Sequence, residues 1–272
     1  MTVLARVQRW FGAGAGLPAA GRRAFRHFDY APAAIYAVGD VHGCYALLAD
    51  LEERILEDAR RHAGEKWIIM LGDYVDRGPM SPRVLDHLLH PPADAQVQRI
   101  CLAGNHEAAM LAFLAAPDPA SPWLQFGGTE TLVSYGIDPR VLERRITRRE
   151  MDQLVASHVP DEHREFLAGL PVLVETPGQI FVHAGLRPGV PVPAQTEWDL
   201  TWIRDDFTET YESFGKTVVH GHTPRAEPLV TPGRVALDTG AYLTGRLTAG
   251  VFRPGEPTRL ISVEARAKWV GP

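Results

Sequence analysis

The chain has 272 residues, 45% of them hydrophobic and 22% charged, a balance that supports one large globular domain and excludes a disordered, collagen-like or coiled-coil chain. Lys and Arg number 28 against 33 Asp and Glu, for a formal charge of -5, so no basic excess points towards nucleic acid or an anionic membrane surface. Two cysteines, Cys44 and Cys101, are too few for a disulfide framework and fit a reducing, cytoplasmic setting.

Residues 1–33 are expected to form an N-terminal extension. The first 30 are rich in Arg, Ala and Gly, poor in acids, and lack the continuous apolar stretch of a secretory signal. No run of about 18 apolar residues occurs, which argues against a membrane-spanning helix. From Ala34 onward short apolar runs alternate with helical stretches, the pattern of βαβ units in a parallel or mixed sheet. AIYAVGD (34–40) ends in GDVHG and leads into a helix marked by Leu47, Leu48, Leu51, Ile55 and Leu56. KWIIMLGD (66–73) ends in YVDRGP and leads into SPRVLDHLLH, with Pro82 near the helix start and Val84, Leu85, Leu88 and Leu89 on one face. VQRICLAG (97–104) ends in NHE and leads into AAMLAFLAA. About 107–170 reads as a mostly helical insertion over the site. After Pro171 the pattern turns to strands, and the domain is expected to run over 34–265 as one unit.

Each polar cluster alone has an ordinary explanation, as a helix cap or a turn. Their conjunction does not. GDVHG (39–43), GDYVDRGP (72–79), GNHE (104–107), VHAG (182–185) and VVHGHTP (218–224) stand in order, each at the end of an apolar run. In open α/β sheets such strand ends share one edge, where distant residues meet. Asp, His and Asn without thiolate form a donor set for manganese, iron or zinc, and imply two metal ions bridged by a carboxylate.

Over roughly residues 34–265 these five motifs resemble the calcineurin-like metallophosphoesterases, and within them the phosphoprotein phosphatases of bacterial and bacteriophage-lambda type. The resemblance implies an α/β fold: a β-sandwich of two mixed sheets flanked by helices, with a dinuclear metal site at the strand ends. It also implies Asp40 and His42 as ligands of one ion, Asp73 as the bridge, and Asn105, His183 and His222 as ligands of the other. The ions would be manganese first, with iron or zinc as alternatives. His106 resembles the proton donor to the leaving oxygen, oriented by Asp76, while Arg77 and, from WIRDDF (202–207), Arg204 resemble phosphate clamps. His220 is expected behind the ligands or in the core, and Asp238 as an acceptor for a ligand histidine.

The reaction so implied is hydrolysis of phosphate monoesters by a metal-bridging hydroxide without a phosphoenzyme, with serine/threonine protein phosphatase as the expected activity. The substrate would be a phosphorylated protein or a small phosphoester, and a monomer is the default state. The alternative is a diadenosine tetraphosphate hydrolase. Members of that group tend to lack the second Asp of GDYVDRG and to carry GNHD, and this chain reads GDYVDRGP and GNHE. A non-catalytic member would lack a ligand or the donor, and none is missing.

Overall fold

A computed structural model describes residues 23–142, 144, 146–210 and 214–265. Eleven strands are described: β1 (Phe25–His27), β2 (Ala34–Val38), β3 (Lys66–Met70), β4 (Val97–Cys101), β5 (Leu173–Glu175), β6 (Gln179–Val182), β7 (Thr217–His220), β8 (Leu229–Val230), β9 (Arg234–Ala236), β10 (Arg246–Phe252) and β11 (Arg259–Glu264). The helices are α1 (Tyr45–Ala59), α2 (Ser81–Leu89), α3 (Asn105–Ala115), α4 (Gly128–Ser134), α5 (Pro139–Leu142), α6 (Arg148–His158), α7 (Asp161–Gly169), α8 (Glu197–Trp202), α9 (Asp205–Thr208) and α10 (Ala241–Thr244).

One sheet has the order β11-β10-β2-β3-β4 and the other β1-β5-β6-β7-β9-β8. Both are mixed: β2, β3 and β4 pair in parallel and β10 joins antiparallel, while β6, β7 and β9 are parallel neighbours flanked by antiparallel β5 and β8. The two sheets meet face to face. Ile35 and Ala37 of β2 and Trp67 and Ile69 of β3 pack against Val174, Phe181, Val219 and Val235 of the other sheet. The alternate residues Tyr36, Val38, Ile68 and Met70 join the core on the helical side. Both faces of β2 and β3 are therefore buried, which is why their sequences read as unbroken apolar runs rather than as alternation.

On α1 the expected Leu47, Leu48, Leu51, Ile55 and Leu56 are buried. On α2 Val84, Leu85 and Leu88 are buried, whereas Leu89 at the helix end is 40% exposed. The segment from α3 to α7 is mostly helical. One difference concerns the beginning of the fold. Phe25–His27, inside the segment read as an extension, pairs in parallel with Leu173–Glu175 at the sheet edge. Three residues with Arg26 and His27 pointing outward carry no period a sequence window can detect, and the pairing is made with a strand about 150 positions away. The rest of that segment, residues 1–22, lies outside the described residues.

Candidate active site

The carboxyl ends of β2, β3, β4, β6, β7 and β9 converge on one edge, and backbone hydrogen bonds lace their loops together. Val41 N and His42 N donate to Asp73 O at 3.1 and 2.8 Å, Gly43 N to Tyr74 O at 2.8 Å, Gly221 N to His183 O at 2.9 Å, and Leu237 N to His220 O at 2.9 Å. At Gly221, a Cβ would collide with the Asp40 carboxylate, so glycine permits that approach. Five non-glycine residues have positive φ, namely His42, Asp73, Asp76, Arg77 and His222, at 43°, 54°, 72°, 68° and 64°. All five belong to the sequence-predicted site. Such backbone costs on the order of 1–3 kcal/mol per residue and persists only where the surroundings enforce it.

Two triads of buried donors form, His42–Asp73–His106 and Asp73–His183–His222, each with one ligating atom per residue within 4.8 Å of the others. Asp73 belongs to both. Asn105 joins the second through Oδ1, 2.9 Å from His183 Nε2. Asp40 is in neither triad: its two oxygens accept the His222 amide at 3.2 and 3.0 Å. His106 occupies the place in the first triad where the resemblance leads one to look for Asp40.

The histidines are aimed by backbone carbonyls. His42 Nδ1 donates to Val75 O and His183 Nδ1 to Leu71 O, both at 2.9 Å, which leaves each Nε2 facing the cluster. This corrects the expectation for Asp238. Its Oδ1 accepts the amide of Gly240 at 2.8 Å in a local turn, and it makes no hydrogen bond to a histidine among the described residues. His220 stays behind the site as expected, buried, with Nδ1 on Gly221 O at 3.0 Å and its ring edge-on to Phe207.

Burial pushes the His42 imidazole down to about 3, reinforced by the neighbouring Arg77 guanidinium. Burial lowers His222 as well, aided by His183. Both are therefore neutral, the form that offers a lone pair to a cation. Burial alone would raise Asp73, yet His183 and His106 hold its carboxyl well below the usual range. Asp40 moves the opposite way, raised by burial and by the charges of Asp238 and Asp73. Asp238 is pushed up to about 6, mainly by burial, with Asp73 adding to it. These buried carboxylates repel one another, and positive charge placed among them would relieve that repulsion. His222 Nε2, buried, has no hydrogen-bond partner among the described residues. An orphaned neutral imidazole nitrogen, a shared carboxylate and crowded acidic groups fit a pair of divalent cations.

Asp76, fully buried, accepts from three side chains: His106 Nδ1 at 2.6 Å, Trp123 Nε1 at 2.8 Å and Thr131 Oγ1 at 2.8 Å. Burial pushes its carboxyl upward and the Thr131 and Trp123 bonds pull against it. The far nitrogen of His106 lies 3.0 Å from Arg77 Nη2, and Arg77 Nη1 lies 3.1 Å from His42 Nε2. Arg77 rests between two aromatic faces, 5.4 Å from the Phe126 centroid and 4.7 Å from that of Tyr242. Burial pushes the Arg204 guanidinium down, while the charges of Asp73, Asp238 and Asp40 act against that and Arg77 adds to it. The Arg204 Nε is buried without a partner among the described residues.

Sequence reading missed three supports. Trp123 and Thr131 hold Asp76 from the insertion, and Glu107 works as a backbone clamp. The Glu107 carboxylate accepts amides of Asp73 at 2.8 Å, Tyr74 at 2.7 Å and Gly104 at 2.8 Å. It thereby shapes the bridging loop and caps α3, and it never faces the cleft.

The model of the calcineurin-like phosphoesterases matches residues 33–246. The chain belongs to that family. It is a metallophosphoesterase, a hydrolase of phosphoesters, and its relatives narrow the field. The bis(5'-nucleosyl)-tetraphosphatase PrpE [asymmetrical] of Halalkalibacterium halodurans is 25% identical over 234 residues, covering 78% of this chain and 87% of that protein. A solved structure provisionally described as a diadenosine tetraphosphatase superposes with a TM-score of 0.64 at 23% identity, over 89% of this chain and 98% of that one. A protein serine/threonine phosphatase from Saccharomyces cerevisiae superposes with a TM-score of 0.53 at 14% identity, over 97% and 89%. These two superpositions bear on the fold. Among the described residues no helix is long and apolar enough to cross a membrane.

Proposed function

We propose that this enzyme hydrolyses dinucleoside polyphosphates, with phosphate monoesters as secondary substrates. The observation that carries this reading is the similarity to the PrpE tetraphosphatases, which spans most of both chains. It runs against the serine/threonine phosphatase activity expected from GDYVDRGP and GNHE. Asp76 is spent on His106, Trp123 and Thr131, and Glu107 on four backbone amides, those of Asp73, Tyr74, Gly104 and, at 3.4 Å, Val75. Both build the site, and neither faces the substrate.

In the mechanism, Asp40, His42, Asp73, Asn105, His183 and His222 would hold two divalent cations, manganese first. When bound, the ions supply Lewis acidity towards phosphoryl oxygens and lower the pKa of a water. Arg77 and Arg204 grip the non-bridging oxygens and balance the charge that builds there. The water oxygen attaches to phosphorus as the bond to the leaving oxygen breaks; with His106 protonated at Nε2, that proton would pass to the leaving oxygen, and the proton released from the water restores the imidazolium for the next turnover. Asp76 holds the imidazole in register and stabilises its charged form.

The second reading, protein phosphatase, keeps support from the intact His106–Asp76 pair. Turnover of diadenosine tetraphosphate and of a phosphoserine peptide by the manganese-loaded enzyme, side by side, decides between them. A kcat/KM for the dinucleotide at least tenfold above that for the peptide is expected, taking roughly one specificity contact as the difference. The reverse ratio would overturn the proposal.

A further inference from the structure

Four aromatic rings stand in file from the cluster outward. Phe126 lies flat on the His106 imidazole with centroids 4.3 Å apart and planes 9° apart. Trp202 follows 6.1 Å from Phe126 at 20°, and Trp198 lies 5.1 Å from Trp202 at 13°. Aromatic pairs elsewhere in the described residues meet tilted or edge to face, as Phe113 and Trp123 do at 38° and Phe181 and Phe252 at 86°, so this near-parallel file is not the chain's ordinary packing habit. Trp198 and Trp202 are i and i+4 on α8 and therefore share a face. That helix is held to the site: Ala184 N, next to His183, donates to Leu200 O at 2.9 Å, and Arg187 Nε donates to Asp199 Oδ1 at 2.7 Å. Trp202 is 5% exposed, whereas Trp198 at the outer end is only half-buried. The inner end of the file touches Arg77, whose guanidinium lies over Phe126.

Flat rings that lead from a phosphate clamp to a partly solvent-reached indole suit a phosphate chain ending in a planar base, because any base offers a π-face to an aromatic wall. We infer that the file formed by Phe126, Trp202 and Trp198 is a stacking platform for one nucleobase of a dinucleoside polyphosphate, with Trp198 as its outer contact. The inference rests on the dinucleoside polyphosphate reading above.

The test uses the full chain loaded with manganese and the variants Trp198→Ala and Trp198→Phe. The readout is the ratio of kcat/KM for diadenosine tetraphosphate to that for tripolyphosphate, which has a phosphate chain and no base. In Trp198→Ala this ratio should fall about 5- to 150-fold, the weight of one base–aromatic stack, and Trp198→Phe should recover most of it. AMP should quench the tryptophan fluorescence of the wild type more than that of Trp198→Phe, a readout that holds even where the alanine variant does not fold. An unchanged ratio, or an equal loss on both substrates, overturns the platform. If the wild type cleaves tripolyphosphate but not the dinucleotide, the substrate reading fails separately, and AMP then decides the platform: no quenching assigned to Trp198 refutes it.

Discussion

Replacing His106 by Asn isolates the proton-transfer role. The imidazole is 1% exposed, bonded at 2.6 Å to Asp76 and stacked on Phe126. Asn is too short to reach both Asp76 and the cleft, so the charge-assisted bond is lost at a cost of about 1.5–3 kcal/mol. Asp76 keeps Trp123 and Thr131 as donors, so no buried carboxylate is stranded, and a domain with about 5–15 kcal/mol of stability stays folded. The kinetic loss should be far larger, on the order of 10²–10⁴ in kcat for a leaving group that needs a proton. The assay compares phenyl phosphate with p-nitrophenyl phosphate, with metal content and a thermal melt recorded on the same samples. Because the nitrophenolate leaves without much help, its loss should be roughly tenfold smaller or less. Equal losses on the two esters, in a folded and metal-replete variant, would show that His106 orients or binds and does not donate.

Glu107→Ala removes the acceptor of four buried amides and should lower unfolding free energy by about 3–5 kcal/mol, read from urea denaturation. Glu107→Asp should leave the preference between dinucleotide and monoester within about twofold, since surface or scaffold changes that miss the substrate alter specificity little; a larger change would mean that this carboxylate does face the substrate. Burial pushes the thiols of Cys44 and Cys101 up to about 12, so at pH 8 only about one in 10⁴ is thiolate. Native enzyme should therefore react with a thiol reagent no faster than it unfolds, and a rapid stoichiometric phase from either cysteine would refute the stated burial.

The clustering of the motif residues was legible because chemistry and topology coincide: every motif closes an apolar run, and the strands so marked are neighbours at one edge of the sandwich. What a motif does not encode is where its side chain turns. Asp238 ends such a run, yet it accepts the Gly240 amide two residues on, a local bond that competes with any distant one. Asp40 shows the same limit, with its carboxylate drawn to the His222 amide. Glu107 and Asp76, the second Asp of GDYVDRG, read in the sequence as markers of substrate class, whereas their partners are backbone amides and three buried side chains. The i, i+4 tryptophans of EWDLTW were visible as letters and carried no meaning until Phe126, 76 positions before Trp202, was seen to complete the file.

The strained backbone explains how so many polar groups are held at one buried edge. Left-handed φ at His42, Asp73, Asp76, Arg77 and His222 is unfavourable for each residue, and none of these positions is glycine. Glycine would adopt the turn more cheaply but would bring no side chain to the cluster. The cost is sustained by what surrounds the loops: Glu107 fixes the amides of the Asp73 turn, and Thr131 accepts the Asp76 amide at 2.8 Å. His42 N and Asp40 tie the β2 loop to Asp73 and to His222. A substitution at Thr131 or Glu107 therefore loosens the charged cluster without touching a ligand. Insertion helices and sheet edge thus act as one support, which is why motifs 180 residues apart in the chain, Asp40 and His222 among them, hold each other in place.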